Sequence, residues 1–307
     1  MKNVLIVLFV FVTGILSAEN QNHYILGTNG LNSAVKSFGF SFEPILTIYQ
    51  IDQINGQNGK KISLRESKAN TNLYYIQNFF SYFSCCEIFG GTLGCQANIP
   101  FATNTPESAV LNKSLNFNSN SPRLSDIYVE PINIIWRFDQ LFIMTAYGFY
   151  APTGQYKAFS QNNSGLGNWG QAFTLASTFF WDYEKTFSAS VYANYEFHSR
   201  KRGTNFTPGN NFCLDWGVGK ALCNTFFNEV ITVGVVGYFE RQTSLDTGSG
   251  VPKFAKRIRD KVFAVGPEVD VMFPSLKGGF TMRYEIEFNA VSRTQGKTLT
   301  VSANLTF

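Results

Sequence analysis

The stretch Phe280-Thr281-Met282-Arg283-Tyr284-Glu285-Ile286-Glu287-Phe288-Asn289-Ala290 decides the fold. Phe280, Met282, Tyr284, Ile286, Phe288 and Ala290 take one parity. Thr281, Arg283, Glu285, Glu287 and Asn289 take the other. Successive side chains of a β-strand point to opposite faces, so this period of two predicts one apolar face and one polar, charged face. The run is also long. Globular strands usually run about 5–6 residues, whereas a tilted strand needs about 9–11 to cross a bilayer.

The same pattern recurs along the chain. Leu299, Val301, Ala303, Leu305 and Phe307 alternate with Thr300, Ser302, Asn304 and Thr306. Ala189, Val191, Ala193, Tyr195 and Phe197 oppose Ser190, Tyr192, Asn194, Glu196 and His198. Val265, Pro267, Val269, Val271 and Phe273 alternate with Glu268 and Asp270. Twelve strands are predicted: 37–52, 68–82, 87–101, 125–138, 141–151, 169–181, 186–199, 211–221, 227–241, 259–273, 278–291 and 298–307. Ten or fourteen strands remain open. The connections alternate in length. Long ones fall around 53–67, 102–124, 152–168, 200–210 and 242–258, and short ones around 83–86, 139–140, 182–185, 222–226 and 274–277. A sandwich has no reason to sort its loops by parity. A transmembrane antiparallel β-barrel does, with long extracellular loops, short periplasmic turns and an even strand number. Trp136, Tyr147, Tyr150, Trp169, Trp181, Tyr195 and Tyr238 lie near strand ends, where aromatic girdles belong. Phe307 ends the chain on the apolar parity, as bacterial outer-membrane barrels commonly do, and is expected to act as the signal read by the barrel-assembly machinery.

Composition agrees. Of 307 residues, 44% are hydrophobic, 16% aromatic and 15% charged; soluble domains carry about 25% charged residues. Disordered chains and coiled coils need more charge and fewer aromatics. A net charge of +4 gives no electrostatic case for nucleic acid. Lys2, the apolar run Val4–Leu16 and the small residues Ser17 and Ala18 read as a signal peptide cleaved after residue 18. Residues 19–36 are polar and aperiodic, and are expected to form a periplasmic lead or a lumen plug. The barrel follows over 37–307.

Cys85, Cys86, Cys95, Cys213 and Cys223 form no compelling pair. Cys85 and Cys95, read as lying along one extended strand, would be about 30 Å apart. Two histidines, His23 and His198, and scattered cysteines match no zinc spacing, so no metal or other cofactor is expected. Gly165, Gly167 and Gly170 fit G-x-G-x-x-G, but no strand precedes them and no helix follows, so they read as turn glycines. His198 has no nucleophile signature beside it; a barrel hydrolase built on it is the weakest alternative.

From about residue 120 onward, D-I-Y-V-E-P (126–131), Y-G-F-Y-A-P-T-G (147–154), G-L-G-N-W-G (165–170), T-P-G (207–209), W-G-V-G-K (216–220) and G-V-V-G-Y (234–238) occur in order. Together they resemble the outer-membrane family named for the MetA pathway of phenol degradation, the SphA-like transporters. The resemblance covers roughly 120–305. It implies an outer-membrane barrel that passively takes up small hydrophobic or aromatic compounds. The alternative is a plugged barrel with a structural or surface-interaction role.

By parity, Tyr192, Glu196, His198, Glu268, Asp270, Arg283, Glu285 and Glu287 are candidate lumen-lining residues. Twelve strands enclose a narrower interior than 16–18-stranded porins, so a monomer with a narrow or plugged channel is expected. Basic clusters at Arg200, Lys201 and Arg202 and at Lys253, Lys256, Arg257, Arg259 and Lys261 fall toward the outer face. The candidates for pairing with lipopolysaccharide phosphates are Arg200, Lys201, Arg202, Lys256, Arg257 and Arg259. Neutralising them is expected to raise the sensitivity of cells to chelators; unchanged sensitivity would contradict this role.

Overall fold

The computed structural model describes residues 22–61, 71–106, 121–158, 160, 162–224, 229–250 and 259–307. The signal-peptide residues 1–18 lie outside the described residues. Among the described residues, no helix is long and apolar enough to cross a membrane.

The strands are β1 (Gly39–Ile54), β2 (Thr71–Ile88), β3 (Gly91–Asn98), the short β4 (Phe101–Ala102) and β5 (Arg123–Leu124), β6 (Ile127–Arg137), β7 (Leu141–Ala151), β8 (Gly170–Phe180), β9 (Phe187–His198), β10 (Asn211–Asn224), β11 (Glu229–Gln242), β12 (Lys261–Phe273), β13 (Gly278–Val291) and β14 (Thr294–Thr306). Setting aside β4 and β5, each strand pairs antiparallel with the next. β1 pairs with both β14 and β2, and the twelve-stranded barrel closes. In β4, Phe101 and Ala102 extend the ladder of β2 beyond β3, and β5 pairs with β4.

The barrel is inside-out relative to a soluble domain. Val233, Val235, Val265, Val269, Phe280, Met282, Tyr284, Ile286 and Phe288 are exposed on the outer face. Thr174, Thr178, Ser188, Ser190, Asn194, Glu196, Asp215, Glu268 and Glu285 are buried within. Apolar side chains outward and polar ones inward suit a lipid solvent around a polar lumen. Trp169 and Trp181, at opposite ends of β8, are both exposed.

Several local expectations change. The second connection is not at 83–86: β2 continues to Ile88 and turns at Phe89-Gly90. Both turn residues have positive φ, +53° and +74°, the conformation that matches the twist of a two-residue hairpin. This hairpin folds β2 against β3 with Tyr82 opposite Cys95. Cys85 and Cys95 therefore lie on adjacent strands, not far apart along one. Cys85, Cys86, Cys95 and Cys213 are free. β14 begins at Thr294, four residues earlier than expected, so the β13–β14 connection at the long-loop end is only Ser292-Arg293. Ala290 is wholly buried although its parity predicts an outward side chain. The register between β12 and β13 shifts there, and Asn289 adopts φ +53°; such a bulge turns the following residue to the other face.

The short β8–β9 turn is held by Asp182. Its carboxylate accepts hydrogen bonds from the Thr186 hydroxyl (2.6 Å), the Thr186 amide (2.9 Å) and the Phe187 amide (2.9 Å). These bonds, the Thr186 hydroxyl first, hold its pKa down to about 2. A depressed carboxylate pKa stabilises the fold above the ordinary value and ceases to do so as the pH falls through the folded one. Asp182→Ala is expected to speed hydrogen exchange at the Thr186 and Phe187 amides at neutral pH. The wild-type protection should fade toward that of the variant as the pH falls through about 2; equal exchange in both proteins at neutral pH would contradict this.

Candidate functional site

Residues 22–36 pass through the barrel interior. His23 lies at the long-loop end, where its backbone N–H donates to Glu196 Oε2 at 3.0 Å and its ring stacks on Tyr150 with centroids 4.8 Å apart. At mid-lumen the Tyr24 hydroxyl donates to Asp215 Oδ2 at 2.6 Å, and the Asn29 amide donates to the same oxygen at 3.0 Å. The Leu31 amide donates to Glu268 Oε1 at 3.1 Å, and Arg283 Nη1 donates to the Gly27 carbonyl at 2.6 Å. Further on, the Ala34 amide donates to Thr178 Oγ1 at 3.2 Å. Arg137, at the short-turn end of β6, donates to the Lys36 carbonyl at 3.0 Å.

The sequence makes room for this segment. Carboxylate atoms of Glu285 and Glu268 occupy the positions that Cβ atoms would take at Gly27 and Gly30, and Gly27 has φ +69°. Added Cβ atoms at Gly217, Gly219 and Gly234 would lie 3.0, 2.8 and 2.9 Å from the Leu31 side chain. Gly217 and Gly219 of W-G-V-G-K and Gly234 of G-V-V-G-Y thus form a flat seat on β10 and β11. D-I-Y-V-E-P contributes Asp126, which accepts from the Gly154 amide at 2.9 Å and the Leu166 amide at 2.6 Å. Motifs far apart in sequence therefore meet at the long-loop end.

Most of the bonds made by residues 22–34 run to β8, β9, β10, β12 and β13. Facing them, a cavity of about 130 Å³ is bounded by the segment and by side chains that include Tyr49, Gln77, Asn98, Tyr128 and Glu130 on β1, β2, β3 and β6. The polar groups here are largely satisfied by one another. The Tyr128 hydroxyl donates to Glu130 at 2.7 Å, Asn133 Nδ2 donates to Glu130 at 2.6 Å, and the Tyr49 and Tyr238 hydroxyls each donate to Glu287 at 2.8 Å. At the long-loop end Arg293 pairs with Glu240 and lies 3.9 Å from Asp260. Removing one member of such a buried pair leaves an uncompensated charge, which costs about 3–5 kcal/mol.

Tyr192, Glu196, His198, Glu268, Asp270, Arg283, Glu285 and Glu287 face this interior. Tyr192 stacks on Tyr24 at 5.7 Å, and Arg283 Nε lies 2.9 Å from Glu268. Thr281 Oγ1 donates to Asp270 at 2.7 Å. The two ring nitrogens of His198 lie 2.9 Å from the Gly209 carbonyl and 2.9 Å from Glu196. Parity alone missed Asp215, Glu130, Glu240 and Arg293, which share the lumen. Two girdle assignments change: Tyr150 and Tyr238 are buried inside, against His23 and Glu287. Lys201 leaves the lipopolysaccharide-contacting set, because it is 2% exposed with its ammonium 5.6 Å above the Tyr156 ring. Arg200, Arg202 and Arg259 are exposed; Lys253, Lys256 and Arg257 lie outside the described residues.

A model of the family described as putative MetA-pathway of phenol degradation matches residues 51–303. The chain belongs to this family. Among solved structures, it is similar to the COG4313 outer membrane channel from Pseudomonas putida F1, with TM-score 0.66 and 11% identity over 93% of this chain and all of that one. It is also similar to the β domain of the Bordetella autotransporter BrkA, with TM-score 0.50 and 10% identity over 88% of this chain and all of that one. No curated protein matches the sequence. At these identities the structural likeness establishes an outer-membrane-type barrel fold, in agreement with the family assignment.

Gly219→Val tests the seat for Leu31. Overpacking of this kind costs about 1–3 kcal/mol. The variant is expected to keep the heat-modifiable gel mobility of a closed barrel while residues 22–38 become cleavable by added protease. Resistance equal to that of the wild type would contradict the seat.

Proposed function

We propose that this family member resides in the outer membrane and carries small hydrophobic or aromatic solutes passively through its lumen, with residues 22–36 as a fixed constriction. The observation that supports this reading most is the asymmetry of the interior. The N-terminal segment is bonded mainly to one wall, and the cavity lies between it and the other. That cavity combines the apolar faces of Tyr49, Tyr128, Tyr150 and Met144 with the polar edges of Gln77, Asn98 and Glu130. Thr47, Gln96, Asn133 and Thr298 also border it, so a small aromatic solute would find tyrosine faces to stack on and polar partners for its own hydroxyl. The family description, which names phenol degradation, points the same way. On this reading flux follows the solute gradient.

The density of bonds between the segment and the wall favours a second reading, a plugged barrel with a structural role. Solute flux into liposomes containing the refolded protein separates the two. Selective entry of small aromatics over sugars of similar size supports transport. No flux of either through a barrel of correct heat-modifiable mobility would favour the plugged reading.

A further inference from the structure

His23, Glu196 and His198 each offer a ligand atom, and these atoms lie within 4.8 Å of one another. Their side chains are 3%, 0% and 0% exposed. Glu196 and His198 share the inner face of β9, and His23 arrives from the N-terminal segment, across the lumen from any sequence neighbour. Sequence spacing shows no zinc pattern because only the closed barrel assembles the group.

The hydrogen bonds around the group make it more than a cluster of polar residues. His198 Nδ1 lies 2.9 Å from the Gly209 carbonyl, which can only accept, so Nδ1 carries a proton. In the neutral ring, Nε2 then presents its lone pair to Glu196 Oε1, an acceptor 2.9 Å away. The same oxygen contacts His23 Nδ1. On the far side of that ring, His23 Nε2 lies 3.5 Å from Asp126 Oδ2, within a buried pocket where Nε2 has no hydrogen-bond partner. Two imidazole nitrogens and a carboxylate oxygen thus converge, and a cation bound among them would displace the protons that the nitrogens otherwise share with the carboxylate. The carbonyl behind the His198 ring is a group that orients metal-bound histidines, and the Asp126 carboxylate stands 3.5 Å behind the His23 ring. The group also packs tightly against β8: a Cβ at Gly170 would stand 2.5 Å from Glu196 Oε1 and 2.8 Å from His23 Nδ1, so only glycine lets the donors lie against this strand.

We propose that His23, Glu196 and His198 bind one borderline divalent transition-metal ion of the Zn²⁺ class, through two imidazole nitrogens and one carboxylate oxygen. This donor set, with a fourth position open, is one such ions accept. Because His23 belongs to the N-terminal segment and the other two ligands to the wall, the ion clips the segment to β9. Metal would then stabilise the docked segment by an amount that grows with the logarithm of the free ion concentration above its Kd.

The test uses the full mature chain, refolded without a histidine tag and stripped of metal. Co²⁺ titration is expected to give visible ligand-field absorption that saturates at one ion per barrel and is displaced by Zn²⁺. His23→Ala removes a ligand without touching the barrel ladder. It is expected to weaken binding at least about 100-fold, beyond the 10–100-fold effect of losing a supporting residue. His198→Ala is expected to do the same, and if it fails to fold, His23→Ala decides alone. A correctly folded wild type with no saturable one-to-one binding, or undiminished binding in His23→Ala, would overturn the proposal and leave the group as a hydrogen-bonded latch.

Discussion

Every backbone N–H and C=O that faces lipid must find its partner inside the protein, and the rest of this structure depends on that constraint. An unpaired group in hydrocarbon costs several kcal/mol. The chain meets the requirement by pairing β1 with β14 on one edge and β2 on the other, which leaves the barrel no open edge. Closure then sorts the side chains. The outward parity must be apolar, and the inward parity is free to be polar. A twelve-stranded barrel has a narrow interior, and inward carboxylates of β10, β12 and β13 crowd one wall of it. Asp215, Glu268, Glu285 and Glu287 all occur within it, and buried carboxylates need donors.

The N-terminal segment supplies many of those donors. Its amides at His23, Gly27, Asn29 and Leu31 serve Glu196, Asp215 and Glu268. This explains the family motifs in physical terms. Gly217, Gly219 and Gly234 lower the wall beneath Leu31. Asp126 organises the loops near residues 154 and 166 while its carboxylate faces His23. The motifs therefore build a docking surface for an internal segment, and the cavity is the space this segment leaves.

The strands were legible because period two is a local property. β7 and β13 fall where the alternation predicts, 141–151 and 278–291, and the loop lengths sort by parity except at Ser292-Arg293. The turn at Phe89-Gly90 was missed because polar Ser84 and the cysteines resemble a break more than an apolar Phe does. Ala290 escaped because a bulge changes parity with no compositional mark. The site was half legible. Parity assigns a face, so it placed Glu196, Glu268 and Arg283 inside. It says nothing of partners across a lumen, so the meeting of His23 with His198, or of Tyr238 with Glu287, was out of reach. Residues 22–36 have no period at all; Gly27 and Gly30 acquire meaning only beside the carboxylates that crowd them.

The central claim is that the segment covers one wall and leaves the other open to solute. Substituted-cysteine accessibility in a cysteine-free background tests it most directly, with a bulky water-soluble thiol reagent applied during conductance recording. Gln77→Cys, on the cavity wall, should react and reduce the current, while Thr178→Cys, covered by Ala34, should stay unmodified. Rapid modification of Thr178→Cys with Gln77→Cys protected would contradict the account.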